Sequence, residues 1–193
     1  MGEGLSDVEV LYTRQLLHLL KQDSARIALL NAASTLQLND WCLAAGFVRN
    51  LVWDSLHSFT VPTALSDIDL IYFDPNDVSE QQEYNYEQQL RLLAPVNWSV
   101  KNQARMHTRN ADKPYLNSLD AMRYWPEVET AVGARLVSDR IEIIAPFGLA
   151  SLFAGEITLN PERPKPEVLQ ARIADKKWLI QWPQLKLILA VDH

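Results

Sequence analysis

The chain has 193 residues, a net charge of −6, 48% hydrophobic residues and 22% charged residues. That balance excludes a disordered chain, and the acidic sum gives no general drive toward nucleic acid or an anionic membrane surface. Cys42 is the only cysteine, which excludes an internal disulfide and a cysteine-based zinc site and agrees with a reducing compartment. No run approaches the roughly 18 apolar residues of a membrane span. Glu3, Asp7, Glu9 and Arg14 interrupt the N-terminal stretch before a signal-peptide core forms. A cytoplasmic location with no membrane partner is therefore expected. With six glycines the chain carries no Gly-rich phosphate loop of the P-loop or dinucleotide type.

Residues 6–36 read as helical. Val8, Leu11, Tyr12, Leu16, Leu19 and Leu20 form one stripe, and Ile27, Leu30, Ala33 and Leu36 continue another after a break at Asp23-Ser24. Trp41 to Ala45 reads as a short strand, Gly46 as a turn and Phe47 to Leu56 as a helix. A single helix through 41–57 is the alternative reading of that apolar run. A loop containing Pro62 leads to Ser66-Asp67-Ile68-Asp69-Leu70-Ile71-Tyr72, which reads as a strand buried on both faces. Asp74 to Asp77 is a turn, and Ser79 to Leu93 a helix. Val96 to Lys101 alternates as a strand, and Asn102 to Asn110 and Leu119 to Trp125 read as short helices. Ala134 to Val137 and Ile141 to Ala145 form a hairpin. Phe147 to Phe153 is a short helix, Asn160 to Pro166 a Pro-rich connection, and Val168 to Trp182 a final helix that Trp178 and Trp182 would anchor. About 28 C-terminal residues cannot bury a core alone. A single domain over 1–193 is expected, with its core at about 38–146 and a helical C-terminal lobe at about 147–193.

The chemistry concentrates at Asp67 and Asp69. In a strand they point to one face about 6–7 Å apart. Two like charges at that distance repel by roughly 2.5 kcal/mol at an effective dielectric of about 20, against roughly 0.6 kcal/mol in water. A solvated strand end tolerates such a pair, whereas a pocketed one calls for a bound cation or a raised pKa. Gly46 lets a bulky anion approach backbone at a helix N-terminus. Mg²⁺ takes one or two carboxylates plus substrate phosphates. Arg49 reads either as an anion ligand or as a surface ion pair with Asp54. Asp67 to Glu87 carries seven acids and no base, and Arg91 to Lys113 five bases and one acid. In that basic run Lys101, Arg105 and Arg109 share a face if helical. They read either as a phosphate site or as a solvated face. His107 reads as a packed histidine.

The residues Ala45-Gly46-Phe47-Val48-Arg49-Asn50 and Ser66-Asp67-Ile68-Asp69-Leu70 resemble the nucleotidyltransferase superfamily, which includes DNA polymerase β, the CCA-adding enzymes and small antibiotic nucleotidyltransferases. The tRNA-processing members open with Gly-Gly-x-Val-Arg-Asp, which 45–50 approaches. The run Asn97 to His107 is similar to that of a narrower bacterial family of nucleotidyltransferase-like proteins. The resemblance implies an α+β fold, a small mixed sheet flanked by helices, with N- and C-terminal helices packed on it. It implies a two-metal transfer of a nucleoside monophosphate from a nucleoside triphosphate to a hydroxyl. Asp67 and Asp69 would hold Mg²⁺ or Mn²⁺, and Glu142 on a later strand would be the third carboxylate. Gly46, Arg49, Asn50, Ser66, Lys101 and Arg105 would face the nucleotide. A small-molecule or protein acceptor is expected rather than a long nucleic acid, given the acidic balance. Phe47 stands at the second position of the family's Gly-Gly or Gly-Ser pair, bulky where that pair carries no side chain. The strand at 96–101 offers Asn97 and Ser99 but no acid. A member that binds a nucleotide or a partner protein without transfer is the alternative, and a metal-binding fold without nucleotide a third reading.

Overall fold

The computed structural model describes residues 6–189. The Glu3 part of the leader reading and the last four residues of the expected C-terminal lobe lie outside them. Helices α1 (Asp7–Gln22) and α2 (Ser24–Ser34) open the chain. Asp23 both ends the first, giving its N–H to Leu20, and caps the second, its carboxylate accepting from the Arg26 N–H at 2.9 Å. Strand β1 (Cys42–Ala44) and helix α3 (Gly46–Leu56) follow. The chain thus turns at Ala45, and the reading of one helix through 41–57 is overturned. Next come β2 (Ile68–Tyr72), α4 (Glu80–Leu93), β3 (Trp98–Asn102), α5 (Gln103–Asn110) and α6 (Ser118–Met122). A 3₁₀ turn at Val128–Thr130 leads into the hairpin β4 (Gly133–Val137) and β5 (Arg140–Ile144).

These strands form one mixed sheet in the order β3-β2-β1-β4-β5. The β2–β3 pair is parallel and the other neighbours are antiparallel. The interior strand β2 is apolar for a physical reason: Ile68, Leu70, Ile71 and Tyr72 are all buried. Gly133 allows β4 its approach to β1, because a Cβ there would lie 2.6 Å from Cys42 Sγ. Helices flank the sheet, so the fold is the α+β arrangement expected.

The reversal of charge along the chain has its explanation at the sheet edge. Strand β3 is an outer strand, and an outer strand exposes unpaired N–H groups. Glu87 accepts from the Val100 N–H at 3.0 Å and Glu83 from the Asn102 N–H at 2.7 Å, so α4 covers that edge with carboxylates. Arg105 then closes on Glu83 at 2.6 Å and Glu80 at 3.0 Å, and Lys101 reaches Glu83 at 3.4 Å.

The C-terminal part differs from the expectation of a purely helical lobe. After α7 (Ala150–Phe153), strand β6 (Glu156–Thr158) pairs in parallel with β7 (Lys186–Ile188). Three-residue strands separated by most of that segment carry no readable period. The expected last helix is two, α8 (Pro166–Lys176) and α9 (Trp178–Gln181), because Lys177 adopts φ +53° and caps α8. The tryptophans anchor this part as expected. Trp178 and Trp182 meet Trp53 of α3 edge-on at 5.6 and 5.1 Å, and the Trp182 indole donates to Asp54 at 2.8 Å. Trp53→Ala is expected to cost about 3–5 kcal/mol in a urea melt, the range for emptying a large buried aromatic site.

Candidate functional site

The turn between β1 and α3 builds one wall of the site. Ala45 adopts φ +56°, ψ −122°, a conformation that favours glycine. It is held by its N–H on Val132 O at 2.9 Å and by its carbonyl, which accepts from Arg49 N–H at 2.9 Å. No side chain caps α3, so the first N–H groups of an eleven-residue helix are left for another acceptor. The glycine pair of the family motif therefore falls on Ala45-Gly46, with Ala45 in the strained position. Phe47 is not the intruder that counting from Gly46 implied: it is 1% exposed and packs in the core. At Gly46 a Cβ would stand 3.5 Å from the side chains of Arg49 and Asn50.

Gly46, Arg49, Asn50, Ser66, Asp67 and Asp69 line one cavity of about 410 Å³. Ser66 Oγ donates to Asp67 at 2.7 Å. Asp69 lies in β2 opposite Ala44 of β1 and Ser99 of β3. Burial, and then the charge of Asp67, push the Asp69 carboxyl above its usual range, while the Ser99 hydroxyl, Arg49 and Lys176 pull the other way. Among the described residues no three histidine, cysteine or acidic side chains gather as ligands. The donor set is two carboxylates, Asp67 just before β2 and Asp69 within it, hard oxygen ligands that fit Mg²⁺ when substrate phosphates complete the shell.

Arg49 is the unusual side chain of this cavity. It is 6% exposed, donates to Thr130 Oγ1 at 2.7 Å and to Asn50 Oδ1 at 3.0 Å, and leaves its Nε without a partner. Its guanidinium lies 4.9 Å from the Trp53 ring and 4.4 Å from that of Trp178. No carboxylate forms an ion pair with it among the described residues, and burial pushes its pKa down to about 10. The ion pair with Asp54 is overturned, since Asp54 is taken by the Thr63 N–H and hydroxyl, both at 2.7 Å, and by Trp182.

Three predicted residues stand elsewhere. Arg105 is committed to Glu83 and Glu80 on the far side of β3 and lines neither this cavity nor its neighbour. Lys101 misses this cavity but lines the neighbouring recess. Glu142 sits on β5, the opposite outer strand, paired with Arg135 at 3.0 Å. It is three strand spacings from Asp69, about 14 Å at ~4.8 Å per strand. Carboxylate oxygens on one Mg²⁺ lie only ~2.1 Å from the ion, so Glu142 does not complete a set with the aspartate pair. The position beside Asp69 on β3 is Ser99. The sequence reading missed Arg172, Asp175 and Lys176 of α8 and Trp178 of α9, all of which line the cavity. Arg172 and Lys176 share a face by their spacing, but nothing near them marks a motif.

A nucleotidyltransferase family profile matches residues 31–187. The chain belongs to this nucleotidyltransferase family. A solved NMR structure described as a CCA-adding enzyme head domain superposes with a TM-score of 0.80 at 33% identity, over 92% of this chain and 96% of that one. No curated protein matches the sequence significantly. The nucleotidyltransferase assignment agrees with the mixed sheet, and family and fold together support nucleotidyl transfer as the general chemistry. No helix among the described residues is long and apolar enough to cross a membrane.

The aspartate pair has a consequence for stability. A carboxyl raised above its unfolded value of 3.8 binds its proton more tightly when folded. Ionised Asp69 therefore costs stability above the raised value, and the cost fades as pH falls toward the ordinary one. In the presence of a chelator, Asp69→Asn is expected to raise the melting temperature by a few degrees at neutral pH. The gain should shrink toward about pH 4, as read by calorimetry across that range.

Proposed function

We propose that this nucleotidyltransferase moves a nucleoside monophosphate from a nucleoside triphosphate to a hydroxyl of an acceptor, with Mg²⁺ or Mn²⁺ held by Asp67 and Asp69. The observation that carries the reading is the meeting of that pair, the uncapped N-terminus of α3 and the unpaired Arg49 in one cavity. A triphosphate supplies what each of them lacks. Its oxygens accept from the free amides of α3 and from Arg49, and they complete the shell of a cation that the aspartates hold. Arg172 and Lys176 add positive charge from α8. The cation, when bound, would neutralise charge on the phosphates and stabilise the departing pyrophosphate. The chain's own groups orient the triphosphate so that the acceptor oxygen, the α-phosphorus and the leaving oxygen fall in line. One P–O bond forms to the acceptor, the α–β bridging bond breaks, and the hydroxyl proton passes to water.

The acidic net charge favours a small-molecule or protein acceptor over a long nucleic acid. The solved relative is described as a CCA-adding enzyme head domain, which supports nucleotidyl transfer in this cavity. A second reading, binding of a nucleotide without transfer, has one observation in its favour: Ser99 stands beside Asp69 where an acid would extend the pair.

Incubation with Mn²⁺ or Mg²⁺ and α-labelled nucleoside triphosphates should give label transfer or self-labelling that Asp67→Asn plus Asp69→Asn abolishes. A nucleotide at about 100 times its dissociation constant should stabilise the folded chain by roughly 2.7 kcal/mol. Stabilisation without transfer across an acceptor panel would select the second reading, and no stabilisation would count against both.

A further inference from the structure

A second recess, of about 460 Å³, opens on the β3 side of Asp69 and shares only Ala45, Asp69 and Arg172 with the first. The parallel register explains it. Asp69 pairs with Ser99 and Ile71 with Lys101, so Asp69, Ser99 and Lys101 project from one face of the sheet. The last turn of α5 adds Arg109, and α8 adds Arg172 from the other side. Three cations therefore surround a recess whose one acid is Asp69, in a chain of net charge −6.

These cations are incompletely used. Arg109 is exposed and makes no ion pair among the described residues. Arg172 gives its Nε to Glu127 at 2.6 Å and makes no other hydrogen bond among them. Lys101 reaches Glu83 only at 3.4 Å and Glu87 at 3.9 Å. Met106, Trp125 and Pro126 supply an apolar wall. A recess of this size suits a small molecule, and cations with an apolar wall suit a ligand with a phosphate at one end and a flat or aliphatic body.

We propose that this recess binds the acceptor, and that the acceptor is a small phosphorylated molecule, its phosphate at Lys101 and Arg109 and its hydroxyl at Asp69. This rests on the transferase reading, which places the triphosphate in the first cavity. Asp69 is the shared wall, so a hydroxyl in the second recess meets an α-phosphate in the first. The oxygen of that hydroxyl forms the new P–O bond, pyrophosphate leaves toward Arg49 and α3, and the acceptor's own phosphate is unchanged.

The test is a two-step amide-shift titration of the full chain. A non-hydrolysable nucleoside triphosphate with Mg²⁺ fills the first cavity, and inorganic phosphate is then added as the acceptor probe. The nucleotide should move amides 46–50. Phosphate should then move amides 99–110, with its affinity at least tenfold lower in Lys101→Met plus Arg109→Glu. Exposed Arg109→Glu alone should weaken phosphate several-fold with the rest of the spectrum intact, which keeps the test valid if the double variant folds poorly. Phosphate that leaves 99–110 unmoved, or that binds both variants like the parent chain, overturns the proposal. So does an RNA oligonucleotide with a free 3′ hydroxyl that moves these amides when phosphate does not. Nucleotide shifts absent at 46–50 would instead sink the transferase reading, while the phosphate step still reports on the recess.

Discussion

The site depends on a buried guanidinium that makes no ion pair among the described residues, with Glu127, Asp69 and Glu129 acting on it only from a distance. Arg49 is held by Thr130 and Asn50, stacked against Trp53 and Trp178, and faces the cavity that Asp69 also lines. Burying a cation without a directly paired carboxylate is expensive, and the fold bears that cost while a well-packed apolar side chain would avoid it. Two aromatic rings and two hydrogen bonds offset part of it. The remainder is offset when an anion arrives, which is the function we assign. The same residue joins three parts of the chain. It grows from α3, touches the 3₁₀ turn through Thr130, and meets the C-terminal helices through Trp178. The late helices therefore belong to the cavity, because Arg172, Lys176 and Trp178 enter it only while that packing holds.

The aspartates answer the arginine across the cavity. Asp69 is carried by an interior strand of the sheet, between β1, which ends in the Ala45 turn, and β3, which offers Ser99 and Lys101. That register brings a helix N-terminus and a carboxylate pair to the same opening. It also divides the space around Asp69 into two recesses, one framed by α3 and α8 and one by β3 and α5. A transfer reaction needs two substrates to meet at one point, and Asp69 is the acid both recesses share.

Much of this was legible in the sequence where a local pattern was strong. The apolar run after Ser66-Asp67 marked a buried strand, Asp23-Ser24 marked a helix break, and the Gly46 and Asp67–Asp69 motifs marked the cavity. What failed depended on distance through space. Arg105 reads as an anion ligand until α4 is seen to place Glu83 and Glu80 against it. Glu142 reads as a third acid until the hairpin is seen to close the far edge of the sheet. Phe47 reads as an obstruction until the turn is counted from Ala45, whose positive φ no sequence period reports. Strands β6 and β7 are too short and too far apart to leave a pattern. Arg172 and Lys176 enter the cavity through tertiary packing alone.

The central claim is that Arg49 is kept for an anion and not for the fold. Arg49→Met retains the bulk between the two tryptophans and removes the buried charge. Its melting temperature and its affinity for a nucleoside triphosphate with Mg²⁺, measured together, test that claim most directly. The account predicts a folded variant that melts at or above the parent temperature and binds the nucleotide at least tenfold more weakly. A variant that loses stability while binding the nucleotide as tightly as the parent chain would contradict it.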